Sequence, residues 1–177
     1  LVNNTNWGLV FKLPPKIINI ISKIKISSIK VSDSFPEISQ GLIAYDKHTG
    51  QDEEIIKNRS FHHLTKINNS VKEWLWGEDV TPYHVQWNGK EFIDYVAGIA
   101  NPRLPKYFKG NRILIREITS PKIYAGFTDK ESYHDPAIIV VLDNQKNIYL
   151  LLGILNSKLA TFYHFNSSPK ATKGAFP

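Results

Sequence analysis

The sequence predicts an α+β fold. Two observations carry this reading. Short runs of β-branched and aromatic residues fill the middle of the chain, and segments of helical period lie towards its ends. Strands and helices therefore do not alternate, which argues against a doubly wound parallel sheet. Hydrophobic residues make up 42% and aromatics 12% of the 177 residues, enough for a packed domain and too many for a disordered tail.

In chain order, residues 1–13 carry no clear period, and Trp7 is expected to tie this leading segment to the body. Pro14-Pro15 precedes Ile17, Ile20, Ile21 and Ile24, an i, i+3, i+4, i+7 stripe. A short amphipathic helix follows from it, ended by Ser27-Ser28, with Lys16, Lys23 and Lys25 on a solvated face. Two parts are expected: residues 1–35, the leading segment with this helix, and residues 36–177, one structural unit.

Residues 38–45 read as a strand running into the polar turn 46–50, and residues 51–57 as a helical turn. Trp74-Leu75-Trp76 leads to a turn at 77–79. Tyr83, Val85 and Trp87 alternate ahead of Asn88-Gly89, with Phe92 and Ile93 beyond, which predicts a β-hairpin. Residues 101–105 form a loop. The organising stretch is 108–121: a turn at Gly110-Asn111, the apolar run Ile113-Leu114-Ile115, Ile118, and a stop at Ser120-Pro121. It reads as a buried strand with Lys106, Lys109, Arg112 and Arg116 in or beside it. Residues 123–127 and 137–142 read as further strands, and 143–146 as a turn. Ile148, Leu151, Leu152, Leu155, Leu159 and Phe162 form one stripe, expected to be the longest helix. The tail after it is polar and basic, with Lys170 and Lys173.

The formal charge is +6 and the sequence pI about 9.4, a balance that suits a polyanionic partner without proving one. There is no Cys, which removes disulfides, thiolate nucleophiles and cysteine-ligated zinc. The most apolar stretch, 148–165, holds Asn156, Lys158 and His164 and is too polar and short to cross a membrane. No secretory signal is legible, so a cytoplasmic location is expected. The chain opens on Leu1 and reads as a piece of a larger enzyme.

No glycine-rich phosphate loop and no Gly-x-Ser-x-Gly elbow is present. His62-His63 lacks a third ligand at a metal-binding spacing, and Asp52-Glu53-Glu54 reads as a solvated turn. A hydrolase built on His134-Asp135 has no further support. What stands out is cations mixed with aromatics: Lys47, Arg59, Trp76, Tyr83, Arg103, Lys106, Tyr107, Lys109 and Arg112. Arg and Lys supply phosphate contacts, and Arg also reads guanine in the major groove. These cations are expected to line one sheet-borne groove. Trp74, Trp76 and Trp87 are expected to pack rather than stack on bases. The alternative reading is a protein-interaction module with a basic surface.

Several motifs, in order, resemble a known family. They are Gly41-Leu42-Ile43-Ala44-Tyr45-Asp46-Lys47, Asn58-Arg59, Gly77-x-Asp79-Val80-x-x-Tyr83 and Pro102-Arg103. Then come Phe108-x-Gly110-x-Arg112-Ile113-Leu114-Ile115-Arg116-Glu117-Ile118 and Leu151-Leu152-x-x-Leu155-Asn156-Ser157-Lys158-Leu159. Phe162-Tyr163 and Lys173-Gly174-x-Phe176-Pro177 complete the set. The pattern resembles the C-terminal specificity domain of type II G restriction-modification enzymes, single chains that carry an adenine-specific DNA methyltransferase. It covers the chain from about residue 37 to the end, and loosely the part before.

The resemblance implies an irregular, strongly twisted mixed sheet flanked by helices, as in DNA methylase specificity (target recognition) domains. It implies that this domain holds duplex DNA and reads a short sequence. The methyltransferase domain of the same chain would flip an adenine and methylate it from S-adenosylmethionine, and a nuclease region would cut with Mg. Neither the Asn-Pro-Pro-Tyr methyltransferase motif nor a nuclease motif occurs here, so the fragment itself is expected to hold no cofactor and to be catalytically inert. The DNA contacts expected from the cations and aromatics are Lys47, Arg59, Tyr83, Arg103, Lys106, Lys109, Arg112, Lys170 and Lys173. One departure is Pro82, where the family often has a basic residue. Base-reading residues are expected in loops outside the motifs, at 62–70 or 128–136.

Overall fold

A computed structural model describes residues 13–119, 121–144 and 147–168. Two mixed sheets and flanking helices make an α+β architecture. The first sheet has the order β1-β9-β6-β7-β4, formed by Ile38–Gln40 (β1), Ile138–Leu142 (β9), Arg112–Arg116 (β6), Ala125–Thr128 (β7) and Tyr83–His84 (β4). The second has the order β2-β5-β3-β8, formed by His62–His63 (β2), Phe92–Ile93 (β5), Lys72–Leu75 (β3) and Tyr133–His134 (β8). Pairing is antiparallel except β4 with β7 and β3 with β8.

The stretch read as organising is the centre of the first sheet. β6 pairs along its length with β7 on one side and β9 on the other. Successive side chains of a strand point to opposite faces. Ile113 and Ile115 join one buried cluster with Phe35, Val141, Ile148, Leu151 and Leu152, beneath the helices. Leu114 turns the other way, into a cluster with Leu75, Val80, Ile138 and Val140 that joins the two sheets. Arg112 and Arg116 share the face of Leu114, which fixes their surroundings. A third cluster, around Leu42, Phe61, Trp74, Ile93, Phe108 and Tyr133, is the core of the second sheet.

Helix α1, Pro15–Ile26, follows the isoleucine stripe, begins with Pro at its first turn and ends at Ser27. It packs against the last helix. A short turn of helix, Val31–Ser34 (α2), follows. Val31 and Phe35 both pack into the cluster beneath the helices, which joins this leading part to the main sheet. Helix α3, Glu53–Asn58, starts at Asp52, whose carboxylate accepts from Glu54 N at 2.7 Å. The acidic run 52–54 thus supplies a helix cap.

Two sequence expectations need correction. The C-terminal stripe is not one long helix but α4, Ile148–Leu155, and α5, Lys158–Ser167. At 12 residues, α1 is longer than either. Asn156 leaves the helix to bracket β7: its Nδ2 donates to Ala125 O at 2.9 Å and its Oδ1 accepts from Ala125 N at 3.3 Å. Ser157 then caps the new helix by accepting from Ala160 N at 3.0 Å. Nor does Asn88-Gly89 join two paired strands. Both edges of β5 are taken by β2 and β3, while β4 pairs with β7. Gly89 has φ +78° and Asn88 Oδ1 accepts from Lys90 N at 2.9 Å, so the pair makes a local turn that packs Trp87 on Phe92.

Candidate nucleic-acid interface

Arg112 opens β6 but does not reach solvent. Its side chain is fully buried. The guanidinium donates to Gly110 O at 2.9 Å, to Lys130 O at 2.7 Å and to Ser132 Oγ at 3.0 Å. Burial lowers its pKa to about 10, so it stays charged at neutral pH. The expectation of an exposed Arg112 at a phosphate does not hold, because the loop after β7 folds its carbonyls over the side chain. Arg116, at the other end of β6, clamps the 78–80 segment. Its Nε donates to Val80 O at 2.7 Å and its Nη2 to Glu78 O at 3.0 Å, with the guanidinium 4.2 Å from the Tyr124 ring centroid.

Among the described residues, the cations singled out by the sequence do not share one groove. Lys106 and Lys109 line a concavity at one end of β6, and Lys90 and Arg116 another at its other end, while Lys47, Arg59, Arg103 and Arg112 are in the lining of neither. The larger, about 760 Å³, lies where the sheets meet and is lined by Leu64, Trp76, Lys90, Glu91, Arg116 and Ile118 among others. Trp76 donates from Nε1 to Glu91 Oε2 at 3.1 Å. Arg59, in left-handed conformation at the end of α3, takes the same carboxylate as a fork at 3.0 and 3.2 Å. Glu91 lines the groove, while the Arg59 side chain on its outer side remains 45% exposed. Lys90 pairs with Glu78 at 3.2 Å, both side chains about two-thirds exposed. Exposed pairs of this kind contribute little, so Lys90 can exchange its partner for a phosphate. Lys90 and Arg116 were not among the residues the sequence singled out as contacts; a cation directly after Asn88-Gly89 was the available signal for the first.

The smaller concavity, about 310 Å³, is lined by Lys106, Lys109, Gly110, Asn111, Leu142 and Asp143. Lys106 bonds Glu37 at 2.8 Å, and Tyr107 donates to the same carboxylate at 2.9 Å. Those two hydrogen bonds hold the Glu37 carboxyl below the usual range. Lys109 follows the turn Pro105–Phe108 and is exposed. Arg103 is half-buried and bonds Asn101 Oδ1 and Pro102 O. Lys47 begins an exposed 3₁₀ turn, Lys47–Thr49. Lys170 and Lys173 lie outside the described residues.

Tyr83 stands on a hairpin tip. Thr81 and His84 exchange backbone bonds at 2.9 and 3.3 Å, and Val80 bridges Val85. Pro82 thus takes the second turn position and Tyr83 the third, with φ +72° and half its surface exposed. Asp79 sits beneath, accepting from Trp76 N at 2.8 Å.

Residues 64–70 are all exposed, Leu64 at 77% and Ile67 at 55%. The second predicted reading loop is different. Ser132, Tyr133 and His134 are buried and only residues 129–131 are exposed, because Tyr133–His134 is a strand of the second sheet. His62 is likewise packed: its Nδ1 lies 2.8 Å from Tyr45 Oη, and burial pushes its pKa down to about 4. His134 is fully buried, and burial takes its pKa to about 3. Among the described residues no three His, Asp or Glu side chains gather as a metal would need, and no helix is long and apolar enough to cross a membrane.

Asp135 titrates in the opposite sense. Burial raises its pKa from 3.8 to about 6, so the folded state holds this proton more tightly than the unfolded chain. The stability it contributes is complete below pH 3.8 and disappears as pH rises through about 6. Asp135→Asn keeps the acceptor for Ala137 N, at 3.1 Å in the native protein. The variant is expected to melt higher than the native protein at neutral pH, with the gap closing towards pH 4. Melting curves of both proteins across that range check it; a gap independent of pH would contradict the assignment.

A search of the curated proteins finds no match to this chain. The model of the TaqI-like C-terminal specificity domain matches residues 72–177, well over half of the sequence. That span takes in the Gly77–Tyr83 loop, β6 with its two arginines, and the Asn156-Ser157 break, the features around which both concavities are built. The chain belongs to the TaqI-like C-terminal specificity domain family, whose place in a restriction-modification enzyme is to recognise DNA sequence.

Proposed function

We propose that this domain holds double-stranded DNA for a larger restriction-modification enzyme, reading a short sequence while other domains of the same chain act on it. The observation that carries the reading is the groove of about 760 Å³ between the sheets, with Lys90 and Arg116 in its wall and the exposed loop 64–70 at Leu64 on its edge. Lys90, Lys106 and Lys109 supply phosphate contacts, and loop 64–70 is the segment placed to meet base edges. S-adenosylmethionine and Mg belong to the methyltransferase and nuclease domains, which methylate an adenine and cut unmodified DNA. The bacterial cytoplasm is the expected setting.

Salt separates this from a protein-interaction surface. Binding of the full chain to a fluorescent duplex of mixed sequence is expected to weaken linearly on a log–log plot against salt. Lys109→Ala is expected to reduce that slope by about one without altering the melting temperature. An affinity that ignores salt would overturn the DNA reading, and an unchanged slope in the variant would take Lys109 out of the interface.

A further inference from the structure

The turn at Thr81–His84 has the wrong residue for its own stability. Pro82 at the second position and a positive φ at the third make a type II turn, which ordinarily takes glycine at that third position. Tyr83 stands there instead, at φ +72°. Among the described residues its ring and its hydroxyl make no hydrogen bond, ring contact or cation contact, and half its surface faces solvent. Such a conformation persists only where neighbours over-determine it. Here they do. Arg116 holds Val80 O and Glu78 O, Asp79 holds Trp76 N, and Val80 bridges Val85. Thr81 Oγ1 donates to His84 O at 3.1 Å, and β4 pairs with β7 through Tyr83 and Gly126. At Gly126 a side chain would meet His84 O at 2.3 Å, so the hairpin lies hard against β7. The apparatus is rigid, and its product is one outward aromatic ring.

On the DNA-recognition reading given above, on which this rests, we propose that Tyr83 is a contact to the bases: its ring stacks on a base unstacked from the duplex, and the strained turn exists to present it. The turn itself carries no Lys or Arg, since Pro82 precedes Tyr83 and His84 follows it. Electrostatic capture of a phosphate would need charge there; a π-face needs none.

The test uses the full chain with a fluorescent mixed-sequence duplex, paired throughout or carrying one central mismatch. Tyr83→Gly and Tyr83→Asn both suit the backbone and remove the ring. Each is expected to melt at or above the native temperature and yet to lose about ten-fold in affinity, the scale of one base–aromatic stack. The loss is greater on the mismatched duplex, whose free base costs less to expose, and the salt slope stays as in the native protein. Tyr83→Phe is expected to bind like the native chain. Native affinity in both ring-less variants would overturn the proposal. So would a phenylalanine variant as weak as they are, since that marks a hydrogen bond from the hydroxyl and not a stacked ring. Salt-independent binding by the native chain would instead defeat the DNA reading, and this inference with it.

Discussion

Gly41→Ala is expected to be the most damaging small substitution in the domain. The Gly41 N–H donates to Ile138 O at 2.9 Å and Leu42 N–H to His134 O at 3.1 Å, so the chain here lies directly on the segment between the two sheets. A Cβ at residue 41 would stand 1.9 Å from Asp135 O and 2.4 Å from His134 O. Both are backbone atoms, tied on one side to β8 and on the other to β9, and neither can swing away as a side-chain tip does. Relief requires parting the sheets near Leu42, a fully buried residue. Overpacking of this kind costs roughly 3 kcal/mol or more, a large share of the stability of an ordinary domain. Gly77→Ala is the control: no atom lies within 4 Å of its added Cβ. Thermal melting of both variants checks the claim, and a Gly41 variant that melts like the control would refute it.

Arg112→Ala is expected to come next, and for a reason opposite to the one its sequence advertises. Truncation strands the carbonyls of Gly110, Lys130 and Ser132, and it empties a fully enclosed space beside β6. Buried acceptors without partners cost about 1–3 kcal/mol each, part of which relaxation and water recover. A net loss of about 3 kcal/mol corresponds to a fall of roughly 6–12 °C in melting temperature for a chain of this size. Below that temperature the DNA affinity and its salt slope are expected to match those of the native protein, since no phosphate is touched. A lower slope with an unchanged melting temperature would return Arg112 to the interface. Arg112→Lys is expected to recover part of the loss, because one ammonium cannot replace a fork that meets acceptors on both sides of β6.

Several parts of this protein were legible in its residues. Arg112–Arg116 is the central strand, as its short β-branched run between two turns indicated. Helix α1 follows its isoleucine stripe and ends at Ser27, as read. Others failed for identifiable reasons. The helical stripe across 148–162 is continuous in hydrophobicity, yet Asn156 gains two hydrogen bonds on Ala125 by leaving the helix. Asn88-Gly89 makes its turn, but a turn cannot dictate which strands pair when β5 already has two neighbours. Pro82 read as a missing cation; it is the residue that sets the turn beneath Tyr83.

By itself the sequence determined the α+β class, the strand at the centre and the face each β6 side chain takes, because a period of two is a property of the backbone. It determined equally that Arg112 and Arg116 point the same way as Leu114. Only the tertiary structure decided what they meet there: the carbonyls of 130–132 at one end of the strand, and those of 78–80 at the other. Those partners lie 18 to 38 residues away along the chain. A guanidinium has the same charge facing a phosphate or facing a buried carbonyl, and which of the two it serves depends on the loop that closes over it.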